Sequence, residues 1–489
     1  MSSENFADFE VMVQQVVWAL KLTPEEWKVR INTHRLDIFH SIPDPRTGHS
    51  RMVGEEFTTR LRRIAKRYLD SNSERKVRTD FDSFVDELRK KFSEFFLGTN
   101  RVIDEAQMNR WLGSAYRATA KDHDAAMHYI PCALIFSTTV KEFKVGPVTF
   151  YHTTEFFRLF GEEIEGLREK IRVRHRHRVE ESIKKGYPAE SASTPEQSID
   201  LGNRLADELL KHYKRFNWFA VVSVPASNKE VSYDRALFAS RGALNIIKLL
   251  LGAGYTDRLR TADDPGSSGS SATLTRDSQG EFDISISSTP LDNMVGDGWQ
   301  DALSGPFFDI ATRVLTLCSA FEAAPPLCER FLDALHWFGE AVVEKSRAAR
   351  IVKFVTAIER ICGTGIEKDE QGIERGVTDI VTTRAAILYS VMRHVPFEQA
   401  KAQVVKIYDT RSNLVHGSVS PFDEKVAAHV RDTYDVTCAI LFGALDYYAR
   451  IGLEKPTLNE NGLKAELQLL EKWNAAGRPE TSPASAPSA

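Results

Sequence analysis

From residue 307 to 451 the chain repeats one pattern, blocks of apolar side chains at three- and four-residue spacing separated by proline or glycine. Ile310, Val314, Leu317 and Phe321 form the first stripe. Leu327, Phe331, Leu335 and Phe338 form the second, opened by Pro325-Pro326. Ile351, Phe354, Val355, Ile358 and Ile361 give a third that stops at Gly363. A fourth covers 377–393, ahead of Pro396, and a fifth runs from Phe397 to about Leu414. Ser420-Pro421-Phe422-Asp423 then supplies an N-cap, a first-turn proline and an acid. The helix it opens carries Val426, Val430, Tyr434, Thr437, Leu441 and Tyr448 in register to about Ile451. A helix hides such a stripe only by packing it on another, and short connections make neighbours antiparallel. Residues 300–455 are therefore predicted to form an all-helical bundle.

The rest of the chain reads differently. In residues 1–124, Phe9, Val13, Val16, Val17 and Leu20 mark one helix, and amphipathic helices follow around 57–68 and 81–96. The stretch 41–54, with Pro43, Pro45 and Gly48, reads as loop. From 125 to 299 strand signals enter. They are the apolar run 129–136, the segment 143–151 with its Gly146-Pro147 turn, 218–224, and the alternating 282–286. A broadly apolar helix at 237–251 lies between them, so this segment is predicted as a mixed α/β or α+β region. Residues 262–280, rich in Gly and Ser, read as a flexible insertion. After 455, a short helix at 463–473 and a disordered Pro/Ser/Ala tail are expected. At 489 residues, the whole reads as multidomain.

Composition removes several classes of function. A net charge of −4 gives no global attraction to nucleic acid or anionic lipid. The five cysteines form no C-x-x-C pair, and the N-terminus carries no apolar leader, which together point to a cytoplasmic chain with reduced thiols. No apolar run is long enough to span a bilayer. The basic run from Arg168 to Arg178 holds six Lys/Arg in eleven residues, but Glu162, Glu163, Glu165, Glu180 and Glu181 flank it. A solvated, salt-bridged helix is the favoured reading over phosphate contact. His175 and His177 point apart on a helix, which argues against a metal. Gly252-Ala253-Gly254 lacks the Lys-Ser/Thr of a phosphate loop, and H-E-x-x-H and G-x-S-x-G are missing. No cofactor or metal is expected.

One stretch does suggest chemistry: Tyr408-Asp409-Thr410-Arg411-Ser412-Asn413-Leu414-Val415-His416-Gly417. An arginine and a following histidine separated by four to six residues occur six times, at Arg35/His40, Arg117/His123, Arg168/His175, Arg172/His177, Arg330/His336 and Arg411/His416. Context separates the last. Five residues rotate by about 140° on a regular helix, but Gly417, Ser420 and Pro421 predict that helical geometry stops there, letting the two side chains converge. A histidine can pass protons and a guanidinium can stabilise phosphate charge, which suffices for metal-free cleavage of RNA through its own 2′-hydroxyl. The alternative is an arginine in a salt bridge across the bundle, with His416-Gly417 as a helix C-cap.

Tyr408-x-x-Arg411-Ser412-x-x-Val415-His416-Gly417, late in a helical bundle and before a long last helix, resembles the HEPN superfamily in its Apea-like branch, over roughly residues 305–455. The resemblance implies a bundle that pairs as a homodimer, bringing two R-x(4–6)-H motifs into one cleft. In many members that cleft is a metal-independent endoribonuclease of toxin, phage-defence or RNA-processing systems. Other members are non-catalytic dimerisation or partner-binding modules. Carried onto this chain, Arg411 would stabilise phosphate, His416 would be the acid/base and Asn413 a polar supporter. Glu359, in Thr356-Ala357-Ile358-Glu359-Arg360, matches an acidic position on an earlier helix. RNA and a second copy of the chain are the implied partners.

Overall fold

The computed structural model describes residues 3–21, 23, 25–26, 40–43, 50–96, 104–137, 139–184, 203–204, 207–208, 210–264, 270–276, 282–288, 292–296, 298–368, 372–455, 458 and 460–478. The chain divides into two compact units: 1–127 with 223–236 and 321–323, and the remainder. The segments read as 125–299 and 300–455 fall largely within the second. The fold is mixed, with small antiparallel pairings and a helical C-terminal region.

The first unit is built on helices α1 (Ser3–Lys21), α2 (Glu55–Asp70), α3 (Ser73–Arg78), α4 (Phe81–Phe96) and α5 (Glu105–Ala120). Helix α2 buries Phe57, Leu61, Ile64, Ala65 and Tyr68, one face at helical spacing, while Arg62 and Arg63 are exposed. Phe9, Phe57, Phe92 and Trp111 meet in its core, where the Trp111 indole N–H donates to the Leu88 carbonyl at 3.0 Å. Buried Asp8 accepts from Arg60 at 2.6 Å and from Arg67 at 2.9 Å, as a buried carboxylate requires. The stretch read as loop holds two short strands, β1 (His40–Pro43) and β2 (Ser50–Val53), paired antiparallel. Ile42 and Val53 are drawn into the core, which explains why proline-flanked residues still pair.

In the second unit five strands make a sheet in the order β4-β5-β6-β3-β7. They are β3 (Asp124–Ala133), β4 (Glu142–Val145), β5 (Val148–His152), β6 (Trp218–Ser227) and β7 (Arg260–Thr261). Gly146 takes φ 57° and the Pro147 ring holds φ near −65°, the pair of signs that a two-residue II′ hairpin turn needs. The segment 143–151, read as strand with a Gly146-Pro147 turn, is a hairpin about that turn, with Val145 opposite Val148. Helix α6 (Thr153–Lys184) contains the basic run, and His177 lies 3.7 Å from Glu180 on it. Strand β8 (Ser270–Arg276) falls inside the stretch expected to be a flexible insertion and pairs antiparallel with β9 (Phe282–Ser288). Its alternating Ala272 and Leu274 were masked by the surrounding glycines and serines.

Helix α7 (Lys229–Leu251) follows β6. Its Lys248 is buried, donating among the described residues to Asn245 Oδ1 at 3.0 Å and the Gly339 carbonyl at 3.3 Å, and burial lowers its pKa to about 8. The unfolded value lies near 10.4. Between those two values the unfolded chain binds more protons, so stability rises with pH across that window. Thermal midpoints measured from pH 7.5 to 10 should show this rise (set against Lys248→Met as background), and the variant should lack it.

The bundle comprises α8 (Pro306–Ser319), α9 (Pro326–Val343), α10 (Arg347–Cys362), α11 (Val377–Arg393), α12 (Phe397–Val415), α13 (Glu424–Ile451) and α14 (Glu460–Ala475). Proline stands at the first position of α8 and α9, where its missing N–H costs nothing. Helix α10 is central and packs on α9, α11, α12 and α13 through Phe354, Ile358 and Ile361. Its C-terminal carbonyls, orphaned by the helix ending inside the unit, are taken up by side chains. Tyr448 donates to the Ile361 carbonyl at 2.9 Å, Arg330 to the Gly363 carbonyl, and Arg384 to the Cys362 carbonyl at 3.3 Å. Helix α14, expected only as a short appendage, packs on α11 and sends Glu471 to Arg384 at 2.7 Å. Residues 479–489, where a disordered tail is expected, lie outside the described residues.

Candidate functional site

Helix α12 carries the motif out to its own end. Tyr408, one turn before Arg411, is buried against α10. Its hydroxyl donates to Glu359 Oε1 at 2.6 Å, and Arg411 Nη2 donates to Glu359 Oε2 at 3.2 Å. The Arg411 guanidinium carbon also lies 5.9 Å from the centre of the Tyr408 ring. Burial, with the Glu359 carboxylate against its hydroxyl, pushes the Tyr408 phenol up to about 12. The phenol is thus a fixed donor at neutral pH. With one oxygen on Tyr408 and the other on Arg411, Glu359 orients both neighbours. Arg411 is partly buried, and its Nε has no hydrogen-bond partner among the described residues.

Histidine 416 ends the helix. Its N–H reaches the Ser412 carbonyl at 2.9 Å and its backbone, at φ −84° and ψ 0°, still lies near helical values. The break comes one residue later, where Gly417 takes φ 74°, a conformation that a side chain would strain. The Ser418 and Val419 N–H groups then fold back onto the Asn413 carbonyl, at 2.9 and 3.3 Å. Because geometry is helical through His416, Arg411 and His416 keep most of their angular offset. The structure pairs Arg411 with Glu359 and leaves the His416 side chain exposed, without a hydrogen bond or ion pair among the described residues. The convergence expected within one chain is not formed. Asn413 is exposed, and its structural part is played by its backbone.

The following helix also starts later than expected. Ser420 accepts the Asp423 N–H on its carbonyl at 3.0 Å and the Phe422 N–H on its hydroxyl at 3.2 Å, closing a turn. Asp423 is the N-cap, accepting the Lys425 N–H at 2.9 Å, and α13 begins at Glu424. Phe422 is left 93% exposed on this turn, and Val415 is exposed beside His416.

The other arginine–histidine pairs have different surroundings. Arg330 is buried and bound to the end of α10. His123 is partly desolvated, which with Arg78 beside it lowers its pKa. Arg35 and the side chains of Arg168, Arg172 and His175 lie outside the described residues. The pairing of Glu359 with Tyr408 was not readable from spacing, since the partners are 49 positions apart on different helices.

Among the described residues no helix is long and apolar enough to cross a membrane. No protein-family model, curated protein or solved structure matches the chain.

Proposed function

We propose that the C-terminal bundle is a HEPN-type module that cleaves RNA without a metal, working as a homodimer with His416 as acid/base and Arg411 as phosphate stabiliser. The observation that carries the reading is the contrast in the motif's two ends. Arg411 is held in place by Glu359 and stacked near Tyr408, whereas His416 stands free on an exposed helix end. A fixed cation and a free imidazole are what phosphodiester transfer needs, one to stabilise charge and one to move a proton. In one chain they do not meet, and the family resemblance supplies the missing step, since there two motifs share a cleft. Exposed Val415 and Phe422 give a second copy apolar surface beside His416.

The reaction is transesterification. A base takes the proton of the 2′-hydroxyl, its oxygen attacks the adjacent phosphorus, and the 5′-oxygen leaves with a proton from the acid. The products are a 2′,3′-cyclic phosphate and a free 5′-hydroxyl. Incubation of the purified chain with mixed single-stranded RNAs in EDTA should give those ends, while all-2′-deoxy strands stay intact. RNA left whole at high enzyme concentration would sink the catalytic reading.

One observation favours a second reading. The Arg411 charge is already neutralised by Glu359, as in a structural ion pair that fixes α12 on α10. On that reading the bundle is a non-catalytic dimerisation or partner-docking module. RNA would then remain intact while self-association survives.

A further inference from the structure

Helix α6 carries an apolar stripe that is packed tightly only at its start. There Phe156 is buried and stacks on Phe219 of β6, with ring centres 3.9 Å apart. The stripe continues at helical spacing through Phe160, Ile164 and Leu167, which are only half-buried. These residues border a cavity of about 300 Å³. Tyr129 of β3 and the helical turn at 210–213, through Leu210 and Tyr213, complete its wall. Every lining residue belongs to the second unit, and none to the C-terminal bundle.

The wall is braced, so the cavity does not close on itself. Phe219 stacks with Tyr213 at 5.6 Å as well as with Phe156. Tyr129 meets Phe156 edge-on at 5.6 Å and Phe160 at 5.0 Å, and its carbonyl accepts from the Tyr213 hydroxyl at 3.0 Å. An unfilled apolar cavity costs stability that grows with its volume, and an apolar guest restores the lost contacts. Two charged side chains stand at the rim. Glu163 lies on the stripe between Phe160 and Ile164, is exposed, and makes no hydrogen bond or ion pair among the described residues. Burial first, and then this carboxylate, push the Tyr129 phenol above its ordinary pKa, which places Glu163 on the aromatic side of the cavity. Lys170 is seven residues further along, about 10 Å at 1.5 Å per residue. A lysine there covers apolar surface with its methylenes and holds its ammonium in water.

We infer that this cavity binds a small organic amine, an ammonium group carried on an apolar body the size of one aromatic ring. The ammonium pairs with Glu163 beside the rings of Tyr129 and Phe160, and the body fills the space bounded by Leu167, Leu210 and Tyr213. Aromatic faces carry negative potential, so they attract a cation and repel an anion, in the same sense as the carboxylate beside them. A neutral apolar guest would leave Glu163 unused, and a bare cation would leave the cavity unfilled. The volume lies at the lower end of small-ligand sites. The inference goes beyond the ribonuclease reading and does not depend on it, because it concerns other residues and its test measures binding and no cleavage.

Titration calorimetry and thermal melts of the full chain would use phenethylamine, its neutral isostere phenethyl alcohol, the acid hydrocinnamate, and methylammonium. The expected result is saturable binding of phenethylamine, with the other three each at least tenfold weaker. Glu163→Gln, at an exposed position, should weaken the amine tenfold or more and leave phenethyl alcohol unchanged, without lowering the melting temperature of the free protein. Leu167→Trp should fill the cavity and abolish binding of amine and alcohol alike; if that variant does not fold, Glu163→Gln still decides. Hydrocinnamate binding as tightly as the amine would hand the site to Lys170 and overturn the inference. Phenethyl alcohol binding as tightly would reduce it to a plain apolar cavity, and methylammonium binding as tightly to a surface ion pair; either result overturns it. So would amine binding that survives Glu163→Gln, or the lack of any saturable phenethylamine binding.

Discussion

Replacing Arg384 by alanine is expected to cost about 3–5 kcal/mol of stability and lower the melting temperature by roughly 10 °C. Arg384 is fully buried, and each of its donors is used. Nε bonds Glu471 Oε1 at 2.7 Å, and Nη1 bonds the Cys362 carbonyl at 3.3 Å and Thr364 Oγ1 at 2.6 Å. Nη2 bonds both oxygens of Glu367, each at 2.9 Å. One guanidinium therefore joins α10, the β10 strand (Glu367–Lys368), α11 and α14. Deleting it leaves the Glu367 carboxylate, itself buried, with only Thr364 and Gln468. An unpaired buried charge is the main source of the loss, so Arg384→Ala combined with Glu367→Gln should recover part of it. Urea melts of the three proteins measure this. A loss below about 1 kcal/mol, the size of an exposed ion pair, would mean that the network holds nothing together.

The same network predicts a pH dependence. Burial by itself raises the Glu367 carboxyl, but its bonds to Thr364, Arg384 and Gln468 outweigh that and hold it below the usual carboxylate range. A carboxyl whose folded value is depressed contributes stability above its unfolded value, near 4.3. That contribution is lost as pH falls through the folded value. Acid melts of the native chain should weaken from about pH 4.5 downward for this reason. With Arg384 removed, only the bonds from Thr364 and Gln468 oppose burial, the Glu367 carboxyl rises relative to the parent, and mild acid should narrow the gap between variant and parent.

What could be read from the amino-acid order, and what could not, follows from where each interaction lies. Helices α8 to α13 were legible because proline and glycine punctuate them: Pro306, Pro326, Gly363 and Pro396 stand at or beside the observed ends. Ser420 misled because serine and aspartate both cap helices. Pro421 can open a helix or a turn, and here the turn formed first and Asp423 took the cap. The importance of α14 was hidden, since its contribution runs through Glu471 to an arginine 87 positions away. The motif was found from helix-end chemistry and family likeness, but spacing could not show that Arg411 turns toward Glu359. That choice belongs to the packing of α12 on α10.

His416→Ala is expected to reduce RNA cleavage by about a hundredfold to ten-thousandfold, the usual contribution of a positioned acid/base. The substitution is a clean one. The His416 side chain is exposed and makes no bond among the described residues, so its removal should change stability by no more than about 0.5 kcal/mol. Arg411→Ala is also mild for the fold, because its pair with Glu359 is partly solvated and worth about 1 kcal/mol or less. Its effect on catalysis should be larger, about a hundredfold, and only partly restored by lysine, which cannot present two parallel donors to phosphate. Glu359→Gln sharpens the comparison. It removes the charge that fixes Arg411 while keeping an acceptor for Tyr408, so a catalytic arginine should lose rate through misplacement with little change in melting temperature. On the scaffold reading the order reverses: Arg411→Ala and Glu359→Gln loosen α12 on α10 and lower the midpoint by a few degrees, and His416→Ala does nothing measurable. Cleavage rates in EDTA set beside thermal midpoints for the three variants decide between the two. An activity loss for His416→Ala with an unshifted midpoint assigns chemistry to the helix end. An unchanged cleavage rate in that variant removes the histidine from the mechanism.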